Sequence, residues 1–142
     1  MSERPRVGPG DPLSAALALR ERVFCGEQGV TLAGERDGLD ERAVHLVAVE
    51  DGAVVGTCRV LVDGPDARFG RLCVERAARG RGLGRELLAA AEETARAAGA
   101  RQMRLHAQTG ALGLYERAGY RPVGAPFDEE GIEHLAMERL LA

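Results

Sequence analysis

The sequence predicts an α/β fold, an α+β mixture on one mixed sheet with the order β-α-α-β-β-β-α-β-α-β-β. Three observations lead there. The turn signals Asp51-Gly52 and Asp63-Gly64-Pro65 separate β-like runs, which gives a meander of strands. Leu83, Leu87, Leu88, Ala91 and Ala95 then recur at helical spacing and stop at Gly99, the pattern of one long amphipathic helix. A short alternating run, 103–107, follows that helix as a further strand.

The elements follow in order. Residues 1–10 are rich in Pro and Gly and form a short edge strand or fray. Asp11-Pro12 reads as an N-cap and first helical position. Leu13, Ala16, Leu17, Arg20 and Phe24 continue that helix. Residues 25–42 are polar and Gly-rich, with room for one short helix. Runs 45–49 and 54–62 are strands joined through Asp51-Gly52, and 69–74 is the third strand of the meander. The long helix covers 83–98. Residues 112–118 form a second helix, stopped by Gly119. Runs 120–125 and 134–140 form a final β pair around the acidic turn Asp128-Glu129-Glu130-Gly131.

Composition narrows the function. The chain has 142 residues, 45% of them hydrophobic, enough for a single domain over 1–142 with one core; no internal repeat or second-domain boundary is visible. A net charge of −3 argues against nucleic-acid binding as the main task. Cys25, Cys58 and Cys73 are odd in number and lack metal or disulfide spacing, so they are expected to be buried reduced thiols, and no metal site is expected. No apolar run approaches the ~18 residues of a membrane span, and no signal-peptide core is present. The expected location is the cytoplasm.

The most informative segment is Arg79-Gly80-Arg81-Gly82-Leu83-Gly84, between a strand and the long helix. Glycines there let backbone N–H groups approach an anion closely, and the first turn of the helix adds unpaired donors and the positive end of its dipole. A P-loop is excluded because the chain has no lysine. A dinucleotide fingerprint is excluded because its third glycine falls on Arg85 or Leu87. What remains is R-x-x-G-x-G, from Arg79, Gly82 and Gly84. With Arg76, Arg81 and Arg85 nearby, the segment reads as a pyrophosphate cradle.

This loop resembles the acyl-coenzyme A pyrophosphate loop of the GNAT superfamily of N-acyltransferases. The resemblance runs from about residue 19 to 138. Arg71-Leu72-Cys73-Val74 before the loop is similar to the family's central strand. Gln108 to Tyr120, with Ala111, Tyr115 and Gly119, is similar to its second cofactor segment. Arg20 to Phe24 with Glu27-Gln28-Gly29, His45 to Ala48, Val55-Gly56-Thr57 and Gly131 to His134 resemble a small bacterial subgroup. One departure is Gln108, which stands where the family has asparagine and keeps the amide on a longer arm.

The resemblance implies an N-acetyltransferase that moves an acetyl group from acetyl-coenzyme A to a primary amine by direct attack in a ternary complex. It implies cofactor contacts from Leu72, Cys73, Val74, Arg79, Gly80, Arg81, Gly82, Leu83, Gly84, Gln108 and Tyr115. The strand at 72–74 is expected to splay from that at 103–107, with the Val74 N–H facing the thioester oxygen. Tyr115 takes the family's general-acid position. Candidates for the base are Glu27, Glu75, His106 and His134, with Glu27 and His134 also on the substrate side. The acids Glu27, Glu35, Asp37, Asp40 and Asp128 to Glu130 are expected to border a mouth that attracts cationic amines. The acceptor is a small molecule or a peptide, with no nucleic acid and no membrane as partner, and a homodimer follows from the resemblance alone. The alternatives are a noncatalytic acyl-coenzyme A sensor on the same fold and an acyl-homoserine-lactone synthase-like enzyme.

Overall fold

The computed structural model describes residues 6–9 and 13–141. The elements are β1 (Arg6–Pro9), α1 (Leu13–Arg20) running into a π-helical stretch (Glu21–Glu27), α2 (Leu32–Glu35), a 3₁₀ turn (Asp40–Arg42), β2 (Val44–Glu50), β3 (Ala53–Asp63), β4 (Asp66–Val74), a 3₁₀ turn (Arg76–Ala78), α3 (Leu83–Ala97), β5 (Gln102–Gln108), a 3₁₀ turn (Thr109–Ala111), α4 (Leu112–Arg117), β6 (Arg121–Pro122), β7 (Phe127–Glu129) and β8 (Ile132–Leu140). The eight strands form one sheet in the order β1-β2-β3-β4-β5-β8-β6, with β7 also paired to β8. The β4–β5 pair is parallel and the others are antiparallel. The predicted N-cap pair Asp11-Pro12 lies outside the described residues. Among the described residues no helix is long and apolar enough to cross a membrane.

The meander forms as its turns dictate. Asp51 and Gly52 both take positive φ, 51° and 79°, as a two-residue hairpin turn of matching twist requires. On one face of the sheet, Ala67, Phe69, Met103, Leu105 and Ala107 share a core with Leu87, Leu88, Ala91 and Ala95 of α3. On the other face Cys73 meets Leu19, Val23 and Phe24 of the first helix.

A bulge in β4 changes which residues face which core. Gly70 pairs with Arg59 and Cys73 with Thr57, so three steps on β4 oppose two on β3. Arg71 absorbs the extra residue at φ 56°. Before the bulge Ala67 and Phe69 face α3; after it Leu72 and Val74 do, and Cys73 turns to the first helix.

The C-terminal part departs from the predicted β pair. The expected strand 120–125 is reduced to Arg121–Pro122, since Pro122 and Pro126 lack donors and Gly124 turns at φ 81°. An unpredicted strand, β7, takes its place beside β8. Their hairpin turn is Glu130-Gly131, with φ of 53° and 76° and Glu129 opposite Ile132. Asp128 accepts from the Gly131 N–H at 3.3 Å.

The polar segment after α1 is pinned by buried charge. Arg20 and Glu35 are each 1% exposed and pair with one another. Arg20 also reaches Asp40 at 2.7 Å, Arg59 reaches Asp40 at 3.1 Å and pairs with Asp37, and Arg71 reaches Asp37 at 3.2 Å. The Arg59 hydrogen bond holds the Asp37 carboxyl well below the usual range. Burial opposes ionisation of Asp40, but the hydrogen bonds and charges of Arg20 and Arg59 outweigh it and its pKa falls.

Candidate active site

The parallel pairing of β4 with β5 covers only Asp66 to Phe69 against Gln102 to Leu105. Both strands continue, to Val74 and Gln108, without pairing to each other. The gap belongs to a cavity of about 820 Å³ whose wall includes Leu72, Cys73, Val74, Arg79, Gly84, Gln108, Tyr115 and His134. The Glu75 N–H donates to Val55 on β3 at 2.7 Å. Strand alternation therefore turns the Val74 N–H and C=O to the opposite edge, into the gap. Arg79 Nε donates to that Val74 carbonyl at 2.8 Å.

The glycine turn shapes the entrance to α3. Gly80 and Gly82 have φ of 80° and 81°, and Gly82 is the N-cap. The N–H groups of Leu83, Gly84 and Arg85 have no acceptor within the helix. Gly80, Arg81, Gly82 and Leu83 lie outside the cavity wall; Leu83 is buried beside Ala48 and Ala78. A side chain at Gly82 would meet nothing closer than Arg85 Nη2 at 3.7 Å, so the constraint is conformational. Gly82→Ala is expected to lose about 1–2 kcal/mol, read as a lower urea midpoint at unchanged slope.

The arginines of the predicted cradle are partly engaged. Arg79 holds Glu27 at 2.9 Å, Arg76 approaches Glu27 at 3.5 Å, and Arg81 holds Glu50 at 2.7 Å. Glu75 pairs with Arg22 at 2.9 Å. Neither Glu27 nor Glu75 lines the cavity.

Tyr115 stands on α4 at the base of the gap, 7% exposed, with edge-on ring contacts to Phe69 and Tyr120. Its hydroxyl has no hydrogen-bond partner among the described residues, and the residue lines the cavity. Burial, and secondarily the Cys58 thiol, push its pKa up, so it holds its proton at neutral pH. Burial also pushes the Cys73 thiol to about 12, which leaves it protonated and a poor nucleophile. Gln108 is paired across the cavity: its amide nitrogen donates to Gln28 Oε1 at 2.9 Å. No local pattern announces a partner eighty residues away.

Histidines and one carboxylate gather on the far wall. His134 Nδ1 lies 2.7 Å from the Ile132 carbonyl, which can only accept, so Nδ1 carries the proton and Nε2 is the basic nitrogen. Glu129 stands 3.6 Å from that Nε2 and 3.3 Å from His106 Nδ1. Phe127 packs against both rings. Sequence reasoning placed both histidines among the candidates but missed Glu129 as their bridge and Phe127 as their support. Among the described residues no cluster of three His, Cys, Asp or Glu is spaced to hold a metal ion.

The expected acidic mouth is only partly there. Glu35, Asp37 and Asp40 are matched by Arg20, Arg59, Arg71 and Arg36, because burial of those carboxylates requires partners. Glu129 and Glu130 remain at the cavity. The Glu130 carboxylate has no ion pair among the described residues and lies over Gly34, within 2.5 Å of where a side-chain carbon there would stand.

Comparison with known proteins gives a consistent result. A sequence model of the acetyltransferase (GNAT) domain matches residues 20–141. The uncharacterized protein YyaT of Bacillus subtilis is 35% identical over 137 residues, covering 94% of this chain and 93% of that one. The crystal structure of a proposed N-acetyltransferase from Lactobacillus plantarum superimposes with a TM-score of 0.88 at 33% identity, over 99% of this chain and 100% of the other. That of an acyl-CoA N-acyltransferase from Pseudomonas aeruginosa does so with a TM-score of 0.81 at 31% identity, over 98% and 99%.

Proposed function

We propose that this chain, which belongs to the GNAT acetyltransferase family, moves an acetyl group from acetyl-coenzyme A to a primary amine by direct attack in a ternary complex. The observation that carries this reading is the unpaired gap between β4 and β5, with Val74's backbone turned into it and Tyr115 at its base.

The residues present fit coenzyme A. The edge of β4 at Leu72 and Val74 offers backbone groups to an amide-bearing arm, as a sheet edge does to an added strand. The turn at Gly80 to Gly84 presents helix-terminal N–H groups to a diphosphate. Arg79 and Arg81 stand beside it, exchanging Glu27 and Glu50 for phosphate oxygens. When bound, acetyl-coenzyme A supplies the acetyl group as an activated thioester.

The chain's own residues then divide the work. The Val74 N–H is a fixed donor for negative charge developing on a carbonyl oxygen, an effect typically worth about 2.7–4 kcal/mol per donor. Tyr115 holds a proton at its Oη, kept there by burial, for a departing thiolate. His134 Nε2 is the lone pair placed to take the amine's proton, and Glu129 stabilises the imidazolium that results. Cys73 remains a protonated wall residue, which favours direct transfer over a cysteine-bound acyl group.

The binding half of the proposal is tested by thermal unfolding with acetyl-coenzyme A, NAD and ATP in parallel. A ligand at about 100 times its dissociation constant adds roughly 2.7 kcal/mol of stability. Stabilisation by acetyl-coenzyme A and not by NAD is expected; no response at saturating concentration would overturn the assignment of the gap.

A further inference from the structure

We infer that the acceptor carries a carboxylate near its amine, held by Arg68 and Arg104 at the solvent-exposed rim of the cavity. The inference rests on the acetyl-transfer reading and names the acceptor class for the same site.

Arg68 and Arg104 are cross-strand partners in the β4–β5 register, one pair before its last, Phe69 with Leu105. Their neighbours Ala67, Phe69, Met103 and Leu105 face α3, so strand alternation puts both arginines on the opposite face. The glycine turn that opens α3 lies on the α3 side, so these two charges are not part of the diphosphate cradle. Both line the cavity. Two like charges side by side on one sheet face repel. Solvent screens these exposed charges, but little in the protein neutralises them: Arg68 has no ion pair or hydrogen bond among the described residues. Among the described residues Arg104 has one distant ion pair, 3.5 Å to Glu138, a carboxylate it shares with Arg121 at 3.3 Å and Gln102 at 3.0 Å. This contrasts with Arg59 and Arg71, which line the same cavity but are consumed by Asp37.

Further along the same face, on β5 and β8, stand His106 and His134 with Glu129, and Glu130, which has no ion pair among the described residues, also lines the cavity. A cavity with two guanidiniums at one end of this face and histidines with carboxylates at the other matches a molecule bearing both signs. Its amine meets the His134–Glu129 wall and its carboxylate bridges the two guanidiniums, whose planar forks suit carboxylate oxygens. A free amino acid has these groups, and a simple diamine lacks the second.

The test compares L-lysine with cadaverine, its decarboxylated counterpart, and glycine with glycinamide. Thiol release from acetyl-coenzyme A gives kcat/KM, and ligand-observed NMR on the protein holding coenzyme A gives binding without turnover. The carboxylate member of each pair is expected to be favoured by about ten- to a hundred-fold. Arg68→Gln and Arg104→Gln should each remove most of that preference, through a higher KM for the carboxylate members, with no corresponding loss for cadaverine. Equal or better use of the members without a carboxylate, or equal losses for both members in the variants, would overturn the inference. If no amine releases thiol, the acetyl-transfer reading fails, and the NMR arm still decides the carboxylate site: binding of L-lysine but not cadaverine, lost in Arg68→Gln, supports it, and no difference refutes it.

Discussion

Tyr115→Phe is expected to lower kcat by about 10²–10⁴-fold, the usual range for a lost general acid or base. The change removes one oxygen and keeps the ring. The edge-on contacts to Phe69 and Tyr120 therefore persist. The hydroxyl has no partner among the described residues, so no buried group is orphaned by its loss. Stability is expected within about 1 kcal/mol of the parent, since no native hydrogen bond is broken. Affinity for acetyl-coenzyme A, from the thermal shift, is expected to stay nearly intact, because the diphosphate turn and the β4 edge are untouched. A variant with unchanged turnover would remove Tyr115 from the chemistry. A variant that loses both binding and turnover would make it a packing residue.

The largest expected effect on stability belongs to Glu35→Ala. Glu35 and Arg20 are each 1% exposed, and once the Glu35 carboxylate is gone the guanidinium keeps Asp40 as its charged partner among the described residues, with the backbone carbonyl of residue 35 at 3.4 Å. Breaking a buried pair on one side costs about 3–5 kcal/mol, which at this chain length lowers Tm by about 10 °C or more. Loss below about 1 kcal/mol would show that the pair behaves as a solvated one. The acid limb separates this pair from its neighbours. Asp37 and Asp40 have folded pKa values below the unfolded value of about 3.9. Their contribution is fully present above that pH and is lost as pH falls through the folded values. The protein should lose stability below about pH 4, and Glu35→Ala should keep that dependence because Arg59 still holds Asp37.

What the sequence revealed was local. Asp51-Gly52 specified a hairpin because the two-residue turn needs positive φ at both positions. The Leu83 to Ala95 stripe specified α3 because one face of a helix is set by spacing alone. The Gly82 turn was legible for the same reason. The opening between β4 and β5 was reached only through resemblance, since nothing in 66–74 or 102–108 states where pairing ends. The bulge rests on an arginine, Arg71, at positive φ, a residue type with no preference for it. The β7–β8 turn was hidden because glutamate, not asparagine or aspartate, precedes Gly131. The charge pairs were hidden by distance along the chain. Glu27, Glu35 and Asp37 read as free acids until folding brought Arg79, Arg20 and Arg59 against them. Of the four residues the sequence offered as a base, Glu27 and Glu75 lie in ion pairs outside the cavity wall, while His106 and His134 line it.

The central claim is acetyl transfer at the β4–β5 gap. Its most direct test is release of free coenzyme A thiol from acetyl-coenzyme A in the presence of an amine panel that includes amino acids and diamines, with Tyr115→Phe in parallel and products identified by mass. The expected result is thiol release that depends on the amine, matched by an N-acetylated product and nearly abolished in Tyr115→Phe. A protein that is stabilised by acetyl-coenzyme A yet forms no acetylated amine above the Tyr115→Phe background would contradict it.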